Sequence, residues 1–378
     1  MDTYSEKSLK ALTVGSATID IIATIATKDI ERMTLHNNTS SFLLMESGRK
    51  VDAEAIMTYT GGGAINAAVS LGRQGFGVST LVKVGRDINA DKLLERLKEE
   101  NISTDLVRIH DHELTAVSML VSSHDRNTAI FTHRGANGFL TDNDVSQDCF
   151  DISDLVYVTN LSNDSSDLFP DIVSRAKIAN AFVAVNPGIV QLTTKTTPFF
   201  DSLNNVDLFV CNFAEARALV PQLVDRTGWE KHTAFESDPG DRVLDIEGFR
   251  LTLEDYAKRL HLLGVKYVGI TDGENGAYLF DGINLIHQKV IPAKVEGTTG
   301  AGDSFASTLA GSLVQGFDCK KAMRLAALNA ASVVGFADAQ SGLMTLDDLL
   351  LRDSHGTRPA HRDRALQRRW PGQGTVTQ

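Results

Sequence analysis

Gly297-Thr298-Thr299-Gly300-Ala301-Gly302-Asp303 runs directly into Ser304–Gly311, where apolar residues return at helical spacing. A turn so poor in side-chain bulk, placed at a helix start, leaves several backbone N–H groups unpaired around an open space. The positive end of the helix dipole faces the same space. Such a turn predicts an anion site, most naturally for phosphate. Asp303 sits at its edge, and two accounts of it stay open. Asp is a preferred N-cap residue. A carboxylate beside a phosphate cradle also makes sense if it orients a hydroxyl and accepts its proton during attack on phosphorus.

From residue 154 onward strand-like and helical stretches alternate, the pattern of a mostly parallel sheet covered on both faces. Strands are expected at Leu155–Thr159, Phe182–Asn186, Asp207–Val210 and Tyr267–Thr271. Ligands of such sheets gather beyond the carboxyl ends of the strands. Asn212, Glu215 and Asp272 fall there. Asn212 and Glu215 at i, i+3 point one way from a helix, as a cap with a surface glutamate or as oxygen ligands of one ion.

Earlier in the chain, Leu12–Ala23 reads as a buried first strand bent at small residues, with Asp20 as a charge inside it. Asp20 is either satisfied by its turn or held for a ligand. Gly61-Gly62-Gly63 precedes an alanine-rich helix carrying Asn66, which offers both a donor and an acceptor. Gly85-Arg86-Asp87 opens a charged helix and mainly serves structure. Thr115–Val121 and Thr128–Thr132 read as a hairpin. A 378-residue chain with 42% hydrophobic residues can bury a large core. Its formal charge of −11 argues against a general nucleic-acid or anionic-membrane binder. Cys149, Cys211 and Cys319 are odd in number and lack a CxxC spacing, so they read as thiols in a reducing cytosol. With no signal peptide and no membrane-length apolar span in the sequence, a soluble cytoplasmic protein is expected.

Five stretches in this order resemble the motifs of the ribokinase-like (phosphofructokinase-B, PfkB) family of carbohydrate and nucleoside kinases. They are Gly15 with Asp20, the Gly61–Asn66 run, Asn212-Phe213-Ala214-Glu215, Thr271–Gly276 and Gly300–Asp303. The resemblance spans residues 10–345. It implies a three-layer α/β/α domain with a mostly parallel central sheet and a small β lid drawn from about 24–60 and 113–134. It further implies transfer of the ATP γ-phosphoryl group to a hydroxymethyl group of a small sugar. Asp303 would be the catalytic base, and the amides of Gly300, Ala301 and Gly302 the anion hole. Asp20, Gly62, Gly63 and Asn66 would hold the acceptor. Thr271, Gly273, Gly276 and Asn329 would border ATP, although a satisfied helix asparagine accounts for Asn329 equally well. Asn212 and Glu215 would organise Mg2+ and the phosphates, partly through water.

Three positions depart from the family pattern. Gly63 stands where ribokinases proper have lysine, which argues against ribose. Gly297 replaces an aspartate that helps hold potassium in relatives activated by it, so weak or no dependence on a monovalent cation is expected. Asp272 stands where many members have an apolar or basic residue. A nucleoside kinase is the alternative within the enzyme class, with Phe42, Tyr59 and Phe131 as candidate base-stacking aromatics. A catalytically silent ligand-binding relative is the alternative outside it. Arg134-Gly135-Ala136-Asn137 resembles a family segment near the substrate, with Arg134 itself readable as a solvated charge. Residues 226–249 form an acidic insertion, and 352–378 an arginine-rich tail expected to be disordered. A monomer and a homodimer are both compatible with these features.

Overall fold

Apolar runs without alternation belong in a sheet covered on both faces. Leu155–Val158 is one, and every residue of it is buried. Val156 and Val158 enter one core with Phe169, Phe209 and Tyr256. Leu155 and Tyr157 enter the opposite core with Ile65, Leu71, Phe305 and Leu309. The eight-stranded sheet runs, edge to edge, Leu285–Gln288, Ala277–Phe280, Tyr267–Thr271, Leu208–Asn212, Phe182–Val185, Leu155–Val158, Lys10–Val14 and Gly77–Leu81. Neighbours from Tyr267–Thr271 to Gly77–Leu81 pair in parallel, and the first two strands close one edge antiparallel. This is the three-layer architecture that the resemblance implies. The computed structural model describes residues 8–26, 31–34, 41–44, 48, 50–123, 128–194, 196–228, 242–246 and 248–354.

The run Leu12–Ala23 is not one bent strand. It divides at Gly15-Ser16-Ala17 into Lys10–Val14 in the central sheet and Thr18–Ile25 in a second sheet. That four-stranded sheet is ordered Thr128–His133, Ala116–Ser123, Thr18–Ile25, Ala53–Gly61. This second sheet, the one expected to form the lid, therefore takes in the chain from Thr18 rather than from about residue 24, and Asp20 lies in it. A separate hairpin pairs Glu31–Thr34 with Ser41–Leu44. Within the insertion, Val243–Ile246 pairs with Phe249–Thr252, while residues 229–241 and 247 lie outside the described residues. The final helix is Leu346–Ser354, and the tail from residue 355 also lies outside them.

Two helices that begin at glycines are packed against each other, Gly63–Arg73 and Ala301–Val314. Gly311 permits the close approach, since a Cβ there would sit 2.9 Å from Leu71 Cδ2. A buried polar seam fixes their register. Ser307 Oγ donates to Ser70 Oγ at 2.8 Å, and Gln74 Nε2 to Thr308 Oγ1 at 3.2 Å. The seam's hydroxyls are bonded inside the protein, although Gln74 Oε1 has no partner among the described residues, so sliding one helix past the other would orphan several hydroxyls. All three cysteines are free thiols. Among the described residues no helix is long and apolar enough to cross a membrane.

Candidate active site

The helix Ala301–Val314 is capped by Gly300, whose φ of 78° is left-handed. Glycine suits that position, and here space demands it too, since a Cβ would lie 2.3 Å from Ala339 Cβ. Asp303 is thus at the third helical position, and its carboxylate makes no capping bond. It accepts instead from Asn66 Nδ2 at 2.8 Å. The N-cap account of Asp303 is set aside by this geometry. Among the described residues the N–H groups of Gly300, Gly302 and Asp303 have no partner, while that of Ala301 turns back to Thr298 O at 3.3 Å. The expected amide ring is therefore displaced by one place at its end: Ala301 is partly spent, and Asp303's own N–H joins Gly302's at the opening.

Three carboxylates share the cleft. Asp303 is deeply set among protein atoms yet still reachable by solvent, and burial raises its carboxyl above the usual range while the Asn66 bond offsets part of the rise. Asp20 is pushed up to about 6, first by burial, then by the charge of Asp303, with the Ser118 hydroxyl pulling it back. Glu215 is also raised, by burial and then by Asp303, against hydrogen bonds with Asn212. Among the described residues none of the three forms an ion pair. The cleft thus holds excess negative charge with no protein cation against it, a mismatch that a cation-carrying ligand would relieve.

Asp20 carries a testable cost. Its folded carboxyl titrates near 6 against an ordinary 3.8. A raised acid favours folding while protonated, and this contribution is lost as pH rises through that window. Asp20→Asn should therefore stabilise the ligand-free protein near neutral pH, on the order of 1–3 kcal/mol. Melting temperatures measured at about pH 7.5 and about pH 4 check it: the gain must shrink on acidification, and a loss of stability at the higher pH refutes it.

At the first glycine-rich turn, glycines bring backbone against backbone. Gly62 has φ of 93°, and a Cβ on it would lie 2.5 Å from Ser16 O; one on Gly61 would lie 2.1 Å from Asp20 Oδ2. Gly63 donates its N–H to Ser16 Oγ at 3.0 Å, so it offers close approach rather than a free donor. Two supporting residues have no individual signal in the sequence. Thr159, buried, fills the space beneath Gly15 and Gly63. Asn137 holds Ala17 by both backbone groups at 3.0 Å. Asn137 was legible only as part of a segment, because its partner is 120 residues away. Arg134 donates to Ser162 Oγ at 3.0 Å. Tyr59 is paired directly across from Asp20 and shares its lid face. Phe131 is on the opposite face and 58% exposed, and Phe42 is on a hairpin whose side chains lie outside the described residues.

On the other side, Asn212 and Glu215 form a reciprocal capping box. Asn212 N donates to Glu215 Oε2, and Glu215 N to Asn212 Oδ1, both at 2.9 Å. The capping account of the pair is realised, and one carboxylate oxygen and the amide NH2 stay outside it. Thr271 ends its strand, and Gly273 and Gly276 turn with φ of 51° and 92°. Asp272 is 8% exposed and takes a two-pronged bond from Arg242, at 2.6 and 2.9 Å. The Arg242 guanidinium also lies 4.7 Å from the Phe213 ring centroid. The insertion is thus tied to both the Asn212 and Thr271 segments, which explains an aspartate at 272. Asn329 is fully buried; its Nδ2 donates to Thr308 Oγ1 at 2.8 Å, and its Oδ1 accepts from Met344 N at 2.9 Å. These surroundings match a satisfied helix asparagine.

Comparison with known proteins bears on the fold and the family. The chain is 22% identical over 349 residues to an ATP-dependent 6-phosphofructokinase of Thermoanaerobacterium thermosaccharolyticum, covering 92% of this chain and 94% of that one. A solved structure of Arabidopsis thaliana ribokinase complexed with ribose and ATP superposes with a TM-score of 0.68 at 23% identity, over 91% of this chain and 98% of the other. The Methanocaldococcus jannaschii nucleoside kinase, described as an archaeal member of the ribokinase family, gives 0.67 at 20% identity, over 92% and 99%. These likenesses establish the ribokinase-like fold. The model of the pfkB family of carbohydrate kinases matches residues 23–346, nearly the whole of the described chain, and the protein is a member of that family of sugar and nucleoside kinases.

Proposed function

We propose that the protein transfers the γ-phosphoryl group of ATP to a hydroxymethyl group of a small sugar, with Asp303 as the base. The single observation that carries this is the 2.8 Å bond from Asn66 to Asp303, made beside the free amides of Gly302 and Asp303. It joins the glycine-rich acceptor loop to an anion-binding helix start through one carboxylate. An acceptor held by Asp20 and Asn66 would present its hydroxyl to Asp303. The developing charge on the transferring group would meet unpaired N–H groups, and removing one such donor typically costs about 10²–10³ in rate. Because the transition state is loose, orientation of the hydroxyl matters more than early proton removal. The lid strand carrying Asp20 would help exclude water, so that ATP is not simply hydrolysed.

Mg2+ fits the residues present. Among the described residues no three metal-ligating side chains cluster, so a cage made by protein alone is not offered. Magnesium usually keeps water and phosphate oxygens as most of its ligands, and the unneutralised charge of Glu215 is the kind of outer partner it tolerates. Glu215 and Asn212 would hold it through water, and the ion would neutralise phosphate charge. Gly297 bears on the monovalent cation. A Cβ there would sit 3.0 Å from Phe336 O and 3.3 Å from Ala337 O, so the slot is bordered by carbonyls but lacks the relatives' carboxylate. Replacing sodium by potassium should leave the rate nearly unchanged; a many-fold rise would overturn that.

Tyr59, on the same lid face as Asp20, supports a nucleoside as the second acceptor class. The deciding experiment is ADP release from ATP across pentoses, hexoses, keto-sugar acids and nucleosides, with Asp303→Asn as control. A sugar-dependent rate that disappears in the control supports the proposal. Equal low rates in both proteins would favour a silent binding protein.

A further inference from the structure

The bond from Asn66 to Asp303 has a condition attached. A carboxamide has nearly the same shape either way round, but only its NH2 end can donate to a carboxylate. Something must hold the oxygen end of Asn66 away from Asp303. Gln340, 3% exposed, does so: its Nε2 donates to Asn66 Oδ1 at 3.1 Å and to Thr60 O at 3.0 Å. Gln340 has the same ambiguity, and Arg96 removes it. Arg96 Nε donates to Gln340 Oε1 at 3.0 Å, and a guanidinium has no acceptor with which the reverse arrangement could form. Polarity therefore runs one way, from Arg96 through Gln340 and Asn66 to Asp303.

The far end of this chain is anchored. Arg96 pairs with Glu100 at 2.7 Å, and Arg73 with the same carboxylate at 2.6 Å. Arg73 Nη1 also donates to the carbonyls of Gln340 and Leu343, at 3.0 and 2.7 Å. Asp338 Oδ1 accepts from Gln340 N at 2.8 Å, which fixes the residue's backbone. The helix Ile88–Glu99 and the turn 338–343 thus converge on one buried amide, although neither touches the cleft through a catalytic motif.

We propose that Gln340 is a positioning residue for phosphoryl transfer: it orients Asn66 so that Asn66 donates to the Asp303 carboxylate. This rests on Asp303 being the base. Gln340→Met removes both polar atoms at similar length without adding charge. Freed from its donor, Asn66 can turn its oxygen toward Asp303, and the carboxylate loses the bond that favours its charged form.

The test is the pH profile of kcat for wild type, Gln340→Met and Arg96→Met, with melting temperatures alongside. Gln340→Met should lower kcat about 10- to 100-fold, the scale of one hydrogen bond to a charged group, and move the acidic limb to higher pH. Arg96→Met should shift the limb the same way by less, and it serves alone if the first variant does not fold. An acidic limb that stays put in the folded variants overturns the proposal, whatever happens to kcat. Asp303→Asn separates the two levels. If it abolishes turnover while Gln340→Met leaves the profile unchanged, only the role of Gln340 fails; if Asp303→Asn turns over normally, the function fails with it.

Discussion

An Asp303→Asn protein is expected to fold, bind nucleotide and turn over about 10²–10⁴-fold more slowly, the usual range for a positioned acid or base. Folding should survive because the Asp303 carboxylate caps nothing; the helix start is made by Gly300. Stability should hold or improve, since the substitution removes a carboxyl whose charged form is disfavoured by burial and which raises both Asp20 and Glu215. The size of the loss has two parts. An amide cannot take the proton of the attacking hydroxyl, and its NH2 end would meet the NH2 end of Asn66 unless one of them turned over. Because bond breaking runs ahead of proton transfer in a loose transition state, misorientation of the hydroxyl contributes much of the deficit. Steady-state kcat from a coupled ADP assay, with the melting temperature measured in parallel, checks both halves. Unchanged kcat would remove Asp303 from the chemistry.

Gly300→Ala is expected to be nearly as damaging to the rate and, unlike the first substitution, to cost stability. The left-handed φ of 78° alone disfavours any Cβ by roughly 1–2 kcal/mol. The added carbon would also overlap Ala339 Cβ, 2.3 Å away, and that neighbour belongs to the turn carrying Gln340. The helix start has to move, and the free N–H groups of Gly302 and Asp303 move with it. Loss of one aligned donor costs about 10²–10³ in kcat, and displacement of base and donors together should reach at least the upper part of that range. Gly302→Ala provides the contrast, because nothing lies within 4 Å of a Cβ at that position. Its melting temperature should match wild type while that of Gly300→Ala falls. Equal stability of the two variants would show that the left-handed cap is not what holds the site.

Much of this was legible in the residues. The alternation of strand-like and helical stretches from residue 154 announced a sheet covered on both faces, and the glycines before Asn66 and Asp303 announced two helix starts. Asn212 and Glu215, three apart, announced a shared direction, and the structure spends it on a reciprocal cap. The apolar run Leu12–Ala23 was deceptive: buried strands of two different sheets look alike in sequence, because hydrophobicity records burial and not which sheet provides it. Hence Asp20 belongs to the second sheet, which begins earlier than its polarity suggested. Asn329 stayed open in the sequence for a related reason, since a buried asparagine satisfied by the core and one facing a ligand have the same local pattern.

What the sequence determined by itself is what periodicity and backbone chemistry can encode locally: the alternating strands and helices, the two glycine-rich turns, and a carboxylate at the start of a helix. Only the tertiary structure decided the partners. Asn66 and Asp303 are 237 positions apart, Asn66 and Gln340 274, and Arg242 and Asp272 30. A hydrogen bond depends on distances of about 3 Å between atoms whose places are set by packing of whole helices. The Gly311 contact and the Ser70–Ser307 seam bring the first of these pairs together, and no local pattern records that.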